Sequence, residues 1–324
     1  MRRSTLGLSL AAGIGLMLGA VPGKSQETYP DRPISVAACY PAGGGVDRNL
    51  RMVERVAAKY LGEAFLPQYR TGGSGTVAMQ YIKDAEPNGY ALAICDNGGT
   101  IIAPIAQGLD FDADDVTPIA QVSFVPWIMS ARVGSPYETV DDLVEAAKRA
   151  SEPIAIEISD IATSDHYGWL LFLNAAGLTP TQFKWNPHGG GGPKMRAILA
   201  GEGNLLFDDA GEIEQHVKEG TLRPLAVLAD NRLAQYPDTP TLKELGYDVV
   251  AGSSVALFAP PGLPEDRANR LREAMKEIKE DPALLKAFEL TLQDPETFVV
   301  DGFEEQWHQD WATARELLKA ALEQ

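Results

Sequence analysis

Within the first hundred residues, three short apolar runs at 34–40, 64–69 and 90–95 alternate with two stretches, 46–60 and 76–84, whose apolar residues recur near helical spacing. A strand-helix-strand-helix-strand order leaves few options, because it argues for a parallel sheet with helices on both faces. Ligands of such sheets gather at the carboxyl ends of the strands, where the loops entering the helices expose backbone N–H groups.

Farther on, 116–133 carries apolar residues without a helical stripe and reads as a long strand passing between two lobes. A self-contained second unit follows: a helix at 140–149, a strand at 153–158, a helix at 166–176, and strands at 205–207 and 222–228. After the Pro/Asp/Thr-rich stretch 236–241, the run 254–259 and the helices beyond Pro264 return to the first unit. Two crossings imply a hinge, and a hinge implies a cleft that closes. The expected organisation is a leader at 1–25, a first domain of 26–124 plus 250–324, and a second domain of 125–249. The expected fold class is α/β, two-lobed and periplasmic-binding-protein-like (type II), with parallel-type sheets, flanking helices and an interdomain cleft.

The leader is read from Arg2 and Arg3, an apolar run at 6–21, and then Pro22, Gly23, Lys24 and Ser25. This pattern is that of a cleaved signal peptide; the run is shorter than the ~20 apolar residues a membrane span needs. Losing Arg2, Arg3 and Lys24 with the leader leaves 25 basic against 45 acidic side chains, a net of −20. Such acidity disfavours nucleic acid as a partner and suits a soluble, exported monomer. The four histidines, His166, His188, His216 and His308, show no metal spacing, and no Gly-x-Ser-x-Gly elbow accompanies Ser164 and His166. No cofactor or metal is therefore expected, although Asp96, Asp165 and Asp208 leave a calcium reading open. For Cys39 and Cys95, two small buried hydrophobes are the favoured reading, since neighbouring parallel strands rarely offer disulfide geometry; a disulfide is the alternative.

The most informative local signal is Pro41-Ala42-Gly43-Gly44-Gly45-Val46-Asp47, between the first strand and the first helix. Three glycines let a ligand approach bare backbone, and their N–H groups with the helix start suit a carboxylate. Glycines alone would also make a plain turn. Ala162-Thr163-Ser164-Asp165-His166 opens a second helix, His188-Gly189-Gly190-Gly191-Gly192-Pro193 precedes another, and Leu205-Leu206-Phe207-Asp208-Asp209 ends a strand in two acids. Helix capping by itself would account for Thr163 or Ser164.

Taken in this order, these motifs resemble the substrate-binding receptors of tripartite tricarboxylate transporters, from the opening Tyr29-Pro30-Asp31-Arg32-Pro33-Ile34 onward. Arg70 with Gly72-Gly73, Pro87-Asn88-Gly89-Tyr90 and Tyr236-Pro237-Asp238-Thr239-Pro240-Thr241 extend the match along the chain. The resemblance implies a periplasmic receptor, not an enzyme, that takes a small organic acid to the membrane subunits of a carrier. It assigns carboxylate contact to Ala42, Gly43, Gly45, Asp47, Thr163 and Ser164, with Asp208 in support. Tyr40, Gly44, Asp96, Asp165 and Gly190 complete the candidate set.

The sequence departs from the family where Asp165 replaces the usual Ser, Ala162 the usual Gly, and Gly189 a frequent Lys; Cys95-Asp96-Asn97 stand where neutral hydroxyls are usual. An extra carboxylate in the cleft would repel a dicarboxylate, so Asp165 is expected to meet an amine or hydroxyl on the ligand; a solvated helix-start acid, favoured by the helix dipole and harmless to binding, is the alternative. Two other readings compete: a receptor that signals without a carrier, and a nicotinamide oxidoreductase. The latter rests on Gly73-Ser74-Gly75-Thr76-Val77-Ala78 with Asp96 following, but 65–70 is polar and broken by Pro67, unlike a central strand.

Overall fold

The computed structural model describes residues 29–322 apart from 162, 190 and 292. The leader, Ala162 and Gly190 thus lie outside the described residues. In chain order the elements begin β1 (Ile34–Ala38), α1 (Gly45–Leu61), β2 (Phe65–Tyr69), α2 (Thr76–Lys83), β3 (Ala91–Asp96) and the short α3 (Ala103–Ala106). The sixteen-residue β4 (Thr117–Arg132) leads to α4 (Val140–Arg149), β5 (Ile154–Ile158), α5 (Ser164–Ala175), β6 (Phe183–Pro187), α6 (Gly191–Ala200) and β7 (Leu205–Asp209). Then come α7 (Ala210–Lys218), β8 (Leu222–Val227), β9 (Gly252–Ala259), α8 (Glu265–Lys279), α9 (Pro282–Leu290) and α10 (Phe303–Leu322).

The strands join in the order β2-β1-β3-β9-β4-β7-β5-β6, with β8 also on β4. Both wings are parallel, as the alternation predicts, but the middle is antiparallel: β9 runs against β3 and β4, and β4 against β7 and β8. The expectation of parallel-type sheets is corrected there to a mixed sheet. The reason is the path of the chain, since β4 leaves the first lobe and β9 returns to it. Strand β2, with Pro67, sits at the outer edge, where a missing N–H donor is tolerated.

Each wing has its own core. One packs Ile34, Val36, Leu50, Val53, Ile94, Leu257 and Phe258 with Trp307 and Trp311 of α10; the other packs Met129, Ile156, Trp169, Phe172 and Phe207. In the second, the Trp169 and Phe207 rings stack at 4.0 Å, and Gly168 leaves room for Phe207. The lobes meet where Pro126 of β4 pairs with Gly252 of β9. A Cβ on Gly252 would run into the Val125 carbonyl and come within 2.8 Å of the Pro126 Cα, so only glycine fits this crossing.

Cys39 and Cys95 form a disulfide, which corrects the favoured reading of two separate thiols. The register of β1 on β3 matches Ala38 with Ile94, so the cysteines are the next pair, at the strand ends, with Cα atoms 5.3 Å apart. Cys39 lies one residue past the end of β1, so its side chain is free to turn toward Cys95, which is still within β3.

Candidate functional site

Asn97 and Thr100, just past the carboxyl end of β3, line an interlobe cavity, and the end of β1 lies beside β3 in the sheet. Gly43 adopts φ +93°, which a residue with a Cβ would take only under strain. Its N–H donates to Asp47 Oδ2 at 2.8 Å, while Asp47 Oδ1 accepts from the Tyr69 hydroxyl at 2.7 Å and from Arg51 Nε at 3.3 Å. Burial would raise this carboxyl's pKa, but the Tyr69 and Gly43 donors prevail and hold it below the usual range. Asp47 therefore braces the loop from within, and Ala42, Gly43, Gly44 and Gly45 remain exposed. Asp96 is similarly engaged: Oδ1 accepts from Gly99 N at 2.9 Å and from the Tyr40 hydroxyl at 3.1 Å, and burial pushes its pKa up. Gly75 approaches Gly99 closely, since a Cβ on Gly75 would stand 2.8 Å from the Gly99 Cα and 3.1 Å from the Cys95 Sγ. The glycines of the dinucleotide-like motif thus serve packing against the disulfide.

The opposite wall is the start of α5 with the end of β7. Asp165 is buried and turned inward: Oδ2 accepts from Ser159 N at 2.8 Å and from Lys194 Nζ at 3.0 Å, and Oδ1 accepts from the Thr163 hydroxyl at 2.5 Å. Lys194, itself 1% exposed, also donates to the Phe207 carbonyl at 2.6 Å and lies 3.4 Å from Asp208. Burial alone would depress the Lys194 pKa, but Asp165 and Asp208 raise it. Burial would likewise raise Asp165, yet Lys194 holds it low; Asp208, where burial prevails, is pushed up to about 6. The expectation that Asp165 meets a ligand donor is corrected on this geometry, because its oxygens are occupied by its own loop and Lys194. The Thr163 hydroxyl is likewise spent within its own loop, on Asp165 Oδ1 and the Asp160 carbonyl, each at 2.5 Å.

The second glycine loop is anchored by the His188 ring against Glu157, which is fully buried and accepts from Asn186 Nδ2 at 2.8 Å. His166 packs edge-on against Trp185 at 4.7 Å, and burial pulls it down to about 4, a poor setting for a base toward Ser164. Cys39, Cys95 and Asp96 form the grouping of metal-ligand atoms found among the described residues, but the disulfide removes both thiolates. Asp165 and Asp208 converge on Lys194 instead of on Asp96, which leaves the calcium reading without a ligand set.

Of the predicted residues, Tyr40 and Asp96 come together in the first lobe, and Thr163, Asp165 and Asp208 in the second. Ser164 faces a cavity of about 230 Å³ whose walls come from both lobes: Asn97 and Thr100 after β3, Gln121, Phe124 and Ser254 on the crossing strands, Tyr167 on α5, and α10. A model of the tripartite tricarboxylate transporter family receptor, TctC, matches residues 50–309. The chain belongs to the TctC family. A UPF0065 protein of Bordetella bronchiseptica is 30% identical over 277 residues, covering 84% of this chain and 81% of that protein. A TctC solute-binding protein from Polaromonas superposes with a TM-score of 0.78 at 25% identity, over 90% of this chain and 99% of its own. Two Rhodopseudomonas palustris proteins share the fold at TM-scores of 0.66 and 0.69 and identities of 21% and 22%. Each covers 90% of this chain, and 100% and 98% of its own, and they hold malate and adipate respectively. As a TctC receptor the chain is a solute-binding protein, not an enzyme.

Sequence reading missed Lys194, Glu157 with His188, and the contribution of α10. Lys194 carried a signal, for it lies four residues before Ile198 and so on the inward face of α6, where a lysine needs an acid partner. Glu157 stood out in the same way as an acid within the apolar run 154–158. Asp310 had none, since α10 is charged along most of its length.

Proposed function

We propose that this TctC receptor is exported by its first 25 residues and captures a small organic carboxylate between its lobes for delivery to the membrane subunits of a tripartite carrier. The observation that carries this reading is the interlobe cavity. Ser164 at the start of α5 and Asn97 beside the end of β3 line it together, and the exposed Gly43–Gly45 turn follows β1, the strand paired with β3. A carboxylate there would accept N–H groups from a helix start on one side and bare glycine backbone on the other. In this reading the contacts are Ala42, Gly43, Gly44, Gly45, Ser164 and Gly190, while Tyr40, Asp47, Asp96, Thr163, Asp165 and Asp208 shape and brace the two walls. Residues 26–124 with 250–324 and residues 125–249 act as the two lobes, turning about Pro126 and Gly252. The malate and adipate held by the two R. palustris relatives support the ligand class. No helix among the described residues is long and apolar enough to cross a membrane.

The test is a thermal-shift screen of mono-, di- and tricarboxylates, amino acids and sugar acids, followed by calorimetry. A ligand that binds only the folded state raises Tm as RT ln(1 + [L]/Kd). A receptor should respond to at least one acid and lose that response in Gly43→Val. Indifference to every acid would refute the reading.

A further inference from the structure

We propose that the cavity between α5, α10 and the crossing strands is a subsite for a positively charged end of the ligand, with Asp310 as its counter-charge. This rests on the carboxylate-receptor reading and extends it to ligands bearing an ammonium group. Among the described residues that line the cavity, Asp310 is the one formal charge and no cation accompanies it. Asp310 is an exposed residue of α10 that lines the cavity, and the protein packed around its carboxyl pushes its pKa up to about 6, with the Gln306 amide opposing. A carboxylate so placed gains from an incoming cation and loses against a second anion.

The lining includes aromatic residues, Phe124, Tyr167 and Trp307 among them, and cations are attracted to aromatic rings. Ser164, at the start of α5, and Asp310 line the same cavity of about 230 Å³, so a ligand with its carboxylate at the α5 start and an ammonium toward Asp310 would be a small molecule with a short carbon chain between the two groups. Asp310 belongs to the helix packed on the first lobe and Tyr167 to the second, so a ligand filling the cavity would touch both.

Three five-carbon acids decide the matter: 5-aminopentanoate, pentanoate and glutarate, whose far carbon bears an ammonium, hydrogen alone or the oxygens of a second carboxylate. Calorimetry on the full mature chain should rank 5-aminopentanoate tightest, by at least about tenfold over glutarate. Asp310→Asn, nearly isosteric and reached by solvent, should lose most of that preference and keep pentanoate affinity, with an unchanged melting curve showing that it folds. Glutarate binding as well as 5-aminopentanoate, or an Asp310→Asn variant with the wild-type ranking, would overturn the subsite. If none of the three binds while other carboxylates do, the subsite is wrong and the receptor reading stands. If no carboxylate binds at all, the receptor reading fails and the subsite with it.

Discussion

Replacing Lys194 by Met tests how the second wall of the site is held together. The substitution preserves much of the volume of a side chain that is 1% exposed, so little cavity forms. What it removes is the cation between Asp165 and Asp208 and the donor to the Phe207 carbonyl. Breaking a buried pair by deleting one partner costs about 3–5 kcal/mol, because the remaining charge is stranded. Asp208, already at about 6, takes a proton readily and trims that loss toward the lower end, about 3 kcal/mol. For a chain of about 300 residues that is a fall in Tm of roughly 5 °C, read by calorimetry at pH 7.5.

The pH dependence separates charge from packing. In the wild type Asp165 is held below 3.8 and Lys194 above 10.5, so the stability they contribute is present between those values. It is lost only as pH falls through the Asp165 pKa or rises through that of Lys194. In the variant both carboxyls titrate above their unfolded value, so the deficit is full above about pH 7 and shrinks toward pH 5 as the folded chain takes up protons. Adding Asp165→Asn to Lys194→Met should recover part of the loss. A Tm change under about 2 °C, or a deficit equal at pH 7.5 and pH 5, would show that the triad is not a charged unit.

At the first wall, Gly43→Val should abolish acid binding, because φ +93° does not admit a branched side chain. Gly44→Val, whose Cβ would meet nothing nearer than the Pro41 carbonyl at 3.8 Å, should fold and lose affinity only by covering the backbone; equal calorimetric affinities for the two variants would refute the distinction. The disulfide spans a sequence separation of 56, worth about 4 kcal/mol on the loop-closure model, so the Cys39→Ala, Cys95→Ala double variant should melt several degrees lower. Alkylation of unfolded, unreduced wild type should add no mass. Gly252→Ala should destabilise the crossing and weaken every ligand together, as read by melting and a screen, whereas loss of one ligand class alone would argue against a hinge role. Because Asp310 is pushed up to about 6, with Tyr167 the other titratable group lining its cavity, 5-aminopentanoate affinity should fall between pH 7.5 and 5.5 as Asp310 takes a proton. Pentanoate affinity should hold over the same range.

Local pattern and composition made much of the molecule legible. The period-2 and period-3.6 runs located β1 to β3, β4, β5, β7, β8 and β9, and the glycine loops marked the starts of α1 and α6. Elements whose burial is slight left no such trace. Strand β6, with Lys184, Asn186 and Pro187 along its outer edge, and α7, where Ile213 alone is buried, carry too little apolar periodicity to be seen. The chain by itself therefore determined the order of the strands and helices that bury an apolar face, the family, and the backbone positions where only glycine serves. Tertiary structure decided which charges count. Asp165 reads as a ligand contact until Lys194, 29 residues away, is found beneath it, and Asp310 reads as one acid of a charged helix until a cavity without a cation opens beside it. The physical reason is that a carboxylate's role depends on which donor or cation lies within a few ångströms, and packing fixes that distance whatever the separation along the chain.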